Sequence, residues 1–245
     1  MKIFVLSTLL ALLSCINRNE VRLEPVVSVS PTTHISINTP EYFSELTPLE
    51  IRKGMINRAV RISQGSGGGS GVYLYENLIL TAYHVVSDRF DGTTLHIPVS
   101  VDGKTDFWYV WAYDYGKDLA LIRPKGFEDF GDALIPGIAK SAEIGQVVYC
   151  AGYPRLVGPY LTMGFLSNLN DRGVFDISCN ATFGSSGSAV YNSAGELIGI
   201  LNMGYTSNGE IVPFMLMCVS LRNLSLFIDD VNNKQNIDPF YSTWK

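Results

Sequence analysis

The feature that most restricts this chain is a succession of short apolar or alternating runs, most of them stopped by glycine, proline, asparagine or aspartate before they can grow into a helix. They fall at residues 56–63, 72–75, 78–81, 95–101, 106–113, 119–122, 146–151, 162–168, 173–179, 189–191, 197–203 and 211–218. Period-two alternation bounded by turn residues marks a strand, and many such strands with glycine-rich turns predict an all-β barrel or sandwich. Helical signals sit only at the two ends of this region. Thr47-Pro48-Leu49-Glu50 supplies an N-cap, a proline suited to the first turn and a glutamate able to reach back, so a short helix is expected there, ending near Lys53-Gly54. Residues 221–231 place Leu221, Leu224, Phe227 and Ile228 on one face of a terminal helix.

The run Gly65-Ser66-Gly67-Gly68-Gly69-Ser70-Gly71 has the composition of a phosphate loop. A phosphate loop needs a helix after it, with a lysine and a hydroxyl. Val72-Tyr73-Leu74-Tyr75 follows instead and reads as a strand, so a hairpin loop is the expectation. Asp102-Gly103 is a second hairpin turn.

A chain of 245 residues holds one large or two small domains, and 47% apolar residues suffice for a core. With only 17% charged residues, wholesale disorder is not expected. The net charge of -5 implies no broad basic surface, and nucleic acid is not expected as a partner. Cys15, Cys150, Cys179 and Cys218 show no C-x-x-C spacing and the three histidines are scattered, so neither a metal site nor another cofactor is expected. With Cys15 set apart, the other three cysteines fit one disulfide plus a free thiol, or three buried thiols.

Met1-Lys2, an apolar run over residues 3–13 and Leu12-Leu13-Ser14-Cys15 describe an export signal too short for a comfortable membrane span. The last four residues also resemble the lipobox of bacterial lipoproteins. That resemblance implies a lipid anchor on Cys15 and a place on the cell envelope; the plainer alternative is an ordinary signal peptide with a chance cysteine. Residues 16–46, threaded with Pro25, Pro31 and Pro40, read as a flexible tether before a folded domain at 47–235 and a tail at 236–245.

Three places suggest chemistry. In Phe183-Gly184-Ser185-Ser186-Gly187-Ser188-Ala189-Val190, glycines bracket a serine that a tight turn could push outward beside converging N–H groups. Read alone, such a run is a plain turn. His84 follows a strand in Thr81-Ala82-Tyr83-His84, and read alone it is a partly buried histidine with satisfied partners. Asp118 immediately precedes the apolar run Leu119-Ala120-Leu121-Ile122 and must find partners or stay at an edge; Asp114 is its nearest competitor.

Together these residues stand in the order His, Asp, Ser, which is one of several triad orders on unrelated folds. Thr81-Ala82-Tyr83-His84 resembles the Thr-Ala-Ala-His motif of trypsin-like serine peptidases. Asp118-Leu119-Ala120-Leu121-Ile122 resembles their Asp-Ile-Ala-Leu-Leu segment, and Gly184-Ser185-Ser186-Gly187-Ser188-Ala189-Val190 their Gly-Asp-Ser-Gly-Gly-Pro-Leu. Gly69-Ser70-Gly71-Val72 and Leu197-Ile198-Gly199-Ile200-Leu201 resemble the HtrA-type branch. The resemblance implies two six-stranded antiparallel barrels with a triad of His84, Asp118 and Ser186 in the cleft between them. It implies an oxyanion hole from the N–H groups of Gly184 and Ser186. It puts Asn180 at the floor of the primary pocket and Asn202, Met203 and Gly204 on the strip that pairs with substrate backbone. No acidic residue occupies the floor, so small or medium apolar side chains are expected there rather than Lys or Arg. Ser185 replaces the aspartate that receives a freed N-terminus in many relatives, which argues against that mode of activation. About 27 residues follow Cys218, too few for a PDZ-type peptide-binding domain. The expected function is an exported serine endopeptidase acting on protein or peptide; the alternative is a catalytically inactive binding module of the same fold.

Overall fold

The computed structural model describes residues 46–234 apart from 65–66, 88–95, 102–103, 125–130, 133, 135–136 and 171–172. The leader, the tether through residue 45, the Asp102-Gly103 turn and the tail beyond residue 234 lie outside the described residues. The chain opens with helix α1 (Pro48–Asn57). Six strands follow: β1 (Ala59–Gln64), β2 (Gly67–Tyr75), β3 (Leu78–Thr81), β4 (His96–Val101), β5 (Lys104–Asp114) and β6 (Leu119–Pro124). A second six are β7 (Val147–Gly152), β8 (Tyr160–Leu169), β9 (Val174–Ile177), β10 (Ala189–Tyr191), β11 (Leu197–Ser207) and β12 (Glu210–Ser220), before helix α2 (Leu221–Lys234). Each set closes into its own antiparallel barrel, in the order β1-β2-β3-β6-β5-β4 and β10-β11-β12-β9-β8-β7. The two-barrel, all-β expectation holds.

Burial explains the differing look of the strands. Every residue of β3 is buried, as are Leu119 to Arg123 of β6, so these strands read as nearly unbroken apolar runs. Strand β8 has one face in water and alternates over its central part. Ile62, Leu78, Ile79, Leu80, Leu121 and Ile122 fill the first barrel at 0% exposure, and Val148, Leu166, Phe175, Ile177 and Ile198 the second. Each such side chain contributes roughly 1.5–3 kcal/mol by leaving water.

Helix α1 starts where expected: the Thr47 hydroxyl accepts from the Glu50 N–H at 3.3 Å, and the Glu50 carboxylate accepts from the Thr47 N–H at 2.8 Å. It does not end near Gly54 but runs to Asn57, taking in Ile56, so β1 begins at Ala59 rather than at residue 56. Local glycine cost loses here to packing, because Met55 is fully buried one residue further on. The glycine-rich run is a second correction. Residues 67–71 are not loop but the first half of β2, paired with β1 through Ile62↔Gly69 and Arg61↔Ser70. Strands β11 and β12 run past their expected ends to Ser207 and from Glu210, because main-chain pairs such as Ser207↔Glu210 need no apolar side chains.

Cys150, Cys179 and Cys218 are free, buried thiols of the second barrel. Burial pushes all three thiols up, Cys179 to about 11. A thiol whose ionisation is suppressed only in the folded state leaves stability intact below the ordinary value of 9.0 and withdraws it as pH rises through the folded value. Unfolding free energy should therefore decline between about pH 9 and 11 in denaturant titrations. At pH 8, mass spectrometry after alkylation should find these three cysteines unmodified in native protein and modified after unfolding.

Candidate active site

Register brings the first two candidate residues together. Thr81 pairs with Ala120, so the chain leaving the end of β3 emerges beside the chain entering β6. His84 lies on a single 3₁₀ turn, Tyr83–Val85, one residue past β3, and Asp118 is the last residue before β6. One aspartate then fixes the whole turn. Its Oδ2 lies 2.7 Å from His84 Nδ1, its Oδ1 accepts from the His84 N–H at 2.8 Å, and its carbonyl accepts from the Tyr83 N–H at 3.1 Å. A carboxylate accepts, so this contact favours the tautomer with the proton on Nδ1, and in the neutral ring of that tautomer Nε2 keeps its lone pair. Asp118 takes φ 53°, a left-handed angle that aspartate tolerates better than most residues. The Asp118 side chain is 20% exposed and that of His84 45%, so the pair opens to solvent on the ring side.

Asp114 has other partners. Its carboxylate accepts from the Lys117 N–H at 2.9 Å and pairs with the Lys117 ammonium, which also lies 3.7 Å from Asp230 of α2. Burial works to raise the Asp114 pKa, but the Lys117 hydrogen bonds and charge hold it below the usual carboxylate range.

Ser186 belongs to a turn between two left-handed glycines, Gly184 at φ 87° and Gly187 at φ 85°. Its main chain is bolted to the first barrel: the Ser70 N–H donates to the Ser186 carbonyl at 2.7 Å. A Cβ on Gly69 would sit 2.6 Å from Val85 Cγ2 and 2.7 Å from the Ser186 carbonyl oxygen. The residue after His84 and the serine turn thus press on the same glycine from the two barrels. Ser186 is half-buried, and among the described residues its hydroxyl makes no hydrogen bond to the His84 ring.

The expected oxyanion donors are uncommitted. The N–H groups of Ser185, Gly187 and Ser188 donate to Thr182, Leu201 and Ser185 carbonyls, whereas those of Gly184 and Ser186 appear in no hydrogen bond among the described residues. The Phe183 carbonyl accepts from the Arg155 N–H at 2.7 Å. Because C=O and N–H point oppositely across a trans peptide, this bond turns the Gly184 N–H the other way. Arg155 and Leu156 both take left-handed angles, φ 52° and 59°, and Arg61 of β1 donates to the Leu156 carbonyl at 3.2 Å.

Of the expected specificity residues, Asn180 is exposed just past β9 and Met203 is 51% exposed on β11, with Gly204 beside it. Asn202 turns inward, is 8% exposed, and its amide oxygen has no hydrogen-bond partner among the described residues. Cys15 lies outside the described residues. Among the described residues no group of three or more His, Cys, Asp or Glu side chains is placed to share a metal ion. Sequence reasoning did not single out Ser70, nor the ring cluster beside His84. There Tyr83 stacks on Tyr113 at 4.9 Å and meets Tyr115 edge-on at 5.9 Å. Burial, with Tyr113, Tyr115 and Asp118 nearby, raises the Tyr83 hydroxyl pKa. The density of tyrosine at 83, 113 and 115 was the available signal.

The family described as the trypsin-like peptidase domain matches residues 69–200, which includes all three candidate residues. The chain belongs to that family. Protease Do-like 1, chloroplastic, of Arabidopsis thaliana is 30% identical over 185 residues, covering 70% of this chain and 40% of that protein. Serine endoprotease DegS of Haemophilus influenzae is 37% identical over 102 residues, covering 37% of this chain and 29% of that protein. The chain therefore spans less than half the length of these curated relatives. Among solved structures, the serine endoprotease from Yersinia pestis superposes with TM-score 0.61 at 20% identity, covering 77% of this chain and 67% of that one. An HtrA-type protease solved with a tripeptide superposes at 0.59 and 19% identity, covering 76% of this chain and 64% of that one. At these identities the likeness is one of fold.

Gly187 offers a direct check on the seam between the barrels. A Cβ there would lie 2.0 Å from the Ser70 carbonyl oxygen and 2.5 Å from Thr81 Oγ1, at an angle that already disfavours side chains. Gly187→Ala should lower the unfolding free energy by about 2–4 kcal/mol in urea titrations.

Proposed function

We propose that this member of the trypsin-like peptidase family is a serine endopeptidase in which Ser186, His84 and Asp118 form the triad. The Ser186 oxygen attacks the scissile carbonyl carbon while His84 Nε2 takes the hydroxyl proton, and the carbonyl π pair moves onto oxygen. The Gly184 and Ser186 N–H groups stabilise that oxyanion; one such donor is worth roughly two to three orders of magnitude in rate. Collapse breaks the C–N bond as the imidazolium passes its proton to the leaving amine, and the acyl-enzyme remains. Water, deprotonated by His84, repeats the sequence and frees the acid. Asp118 holds the imidazole tautomer throughout.

The observation that carries this reading is the double grip of Asp118 on the His84 ring and main chain, which leaves Nε2 as the free acceptor. Phe183, Met203 and Tyr115 add exposed apolar surface nearby, in keeping with apolar substrate side chains. The missing bond between the Ser186 hydroxyl and the ring favours one other reading, a binding module that keeps the fold without the chemistry. A fluorophosphonate probe separates them: wild-type protein should be labelled and Ser186→Ala should not, while unlabelled pure wild-type protein supports the binding module. Asp118→Asn should keep the fold and lower kcat by about four orders of magnitude on a peptide substrate, through the wrong tautomer.

The same proposal places the enzyme outside the cytoplasm, held at the cell envelope by a lipid on Cys15. Cys15→Ser should move the exported protein from the membrane fraction to the soluble fraction.

A further inference from the structure

We propose that Ser70 is a positioning residue for the oxyanion turn, an inference that rests on the peptidase reading above. Ser70 lies in β2 of the first barrel at 0% exposure. Its four polar functions are all committed, three of them across the seam. The N–H donates to the Ser186 carbonyl at 2.7 Å, and the hydroxyl donates to the Gly184 carbonyl at 2.8 Å while accepting from the Tyr153 N–H at 2.8 Å. The carbonyl accepts from the Thr81 hydroxyl at 2.7 Å, three residues before His84. One buried residue thus touches the end of the strand that leads into the histidine turn, both ends of the Gly184–Ser186 segment and the turn after β7.

The hydroxyl does what no apolar side chain could. It lies between a carbonyl and an N–H, and a serine hydroxyl both donates and accepts. The two peptide units flanking Gly184 are held by separate pins: the Phe183 carbonyl by the Arg155 N–H, and the Gly184 carbonyl by Ser70. With both carbonyls fixed, the Gly184 N–H has one direction. Remove the Ser70 hydroxyl and the 184–185 peptide keeps only the Ser185 N–H to Thr182 carbonyl bond of its two pins, which loosens the peptide adjoining the Gly184 donor and spreads the direction of that donor. Gly152 keeps the space open, since a Cβ there would come within 2.8 Å of the Ser70 oxygen.

The His84–Asp118 pair shares no atom with this arrangement, so the inference separates from a general loss of structure. Ser70→Ala should lower kcat on a peptide substrate about tenfold to a hundredfold per folded site, with KM changed less than about threefold. The acid limb of the pH–rate profile should stay in place. Ser70→Cys, a near match in size with a weaker donor, should recover part of the loss, and it is the variant read if the alanine form does not fold. Wild-type kcat in Ser70→Ala, or in Ser70→Cys where that form is read, overturns the inference, as does a displaced acid limb. An active wild-type enzyme beside an unchanged variant removes this inference alone; a wild-type protein that neither cleaves peptide nor takes up a fluorophosphonate removes the peptidase reading together with it.

Discussion

At Gly69 and Gly187 the two barrels come too close for a side chain, and everything proposed for the site depends on that closeness. Gly69 of β2 lies against Val85 from its own barrel and the Ser186 carbonyl from the other, and Gly187 lies against the Ser70 carbonyl. Main chain meets main chain there, and the Ser70 N–H to Ser186 carbonyl bond closes the contact. Each barrel closes through its own strand pairs, so neither needs the other for closure. The seam instead relates a histidine turn on one closed sheet to a serine turn on the other.

Strain and satisfaction are distributed unevenly around it. Of the non-glycine residues with left-handed angles among those described, Asp118, Arg155 and Leu156 lie beside the candidate site or beneath the turn that carries Gly184, while Asn208 and Phe214 lie in the β11–β12 turn and in β12. Each of the first three is over-determined by hydrogen bonds: Asp118 by three to Tyr83 and His84, Arg155 by its bond to Phe183, Leu156 by Arg61. Away from the seam the second barrel is filled by apolar residues and three neutral thiols. Cys179 lies one residue before Asn180, so the expected pocket floor rests directly on that apolar core.

The end of β3 and the start of β6 are the best example of what could be read in advance. Strand β3 is an unbroken apolar run, and an aspartate directly before a second such run is out of place unless it has a partner. Both facts are local, and they marked His84 and Asp118 as worth attention. The capping box at Thr47 and Glu50 was legible for the same reason, since its atoms lie within four residues. The glycine run has loop composition, and glycine weakens strands by propensity, so nothing local marks residues 67–71 as a strand. Its real reason is the close approach of another barrel, a long-range fact. Ser70 is visible in the sequence only as part of the Gly69-Ser70-Gly71-Val72 motif, because a serine among glycines has loop composition until its partners, 83 and 114 residues away, are in view.

By itself, then, the sequence determined the class of fold, the strand and turn rhythm, and which residues could do acid–base or nucleophilic work, because periodicity and side-chain chemistry are properties of short stretches. Only the tertiary structure decided that glycines 67–71 form a strand, that Asp114 answers Lys117 while Asp118 grips His84, and that Ser70 joins the barrels. The first and last of those outcomes depend on which distant groups arrive at hydrogen-bonding distance, and the choice between Asp114 and Asp118 depends on β3 and β6 pairing in register, so that His84 lies beside Asp118.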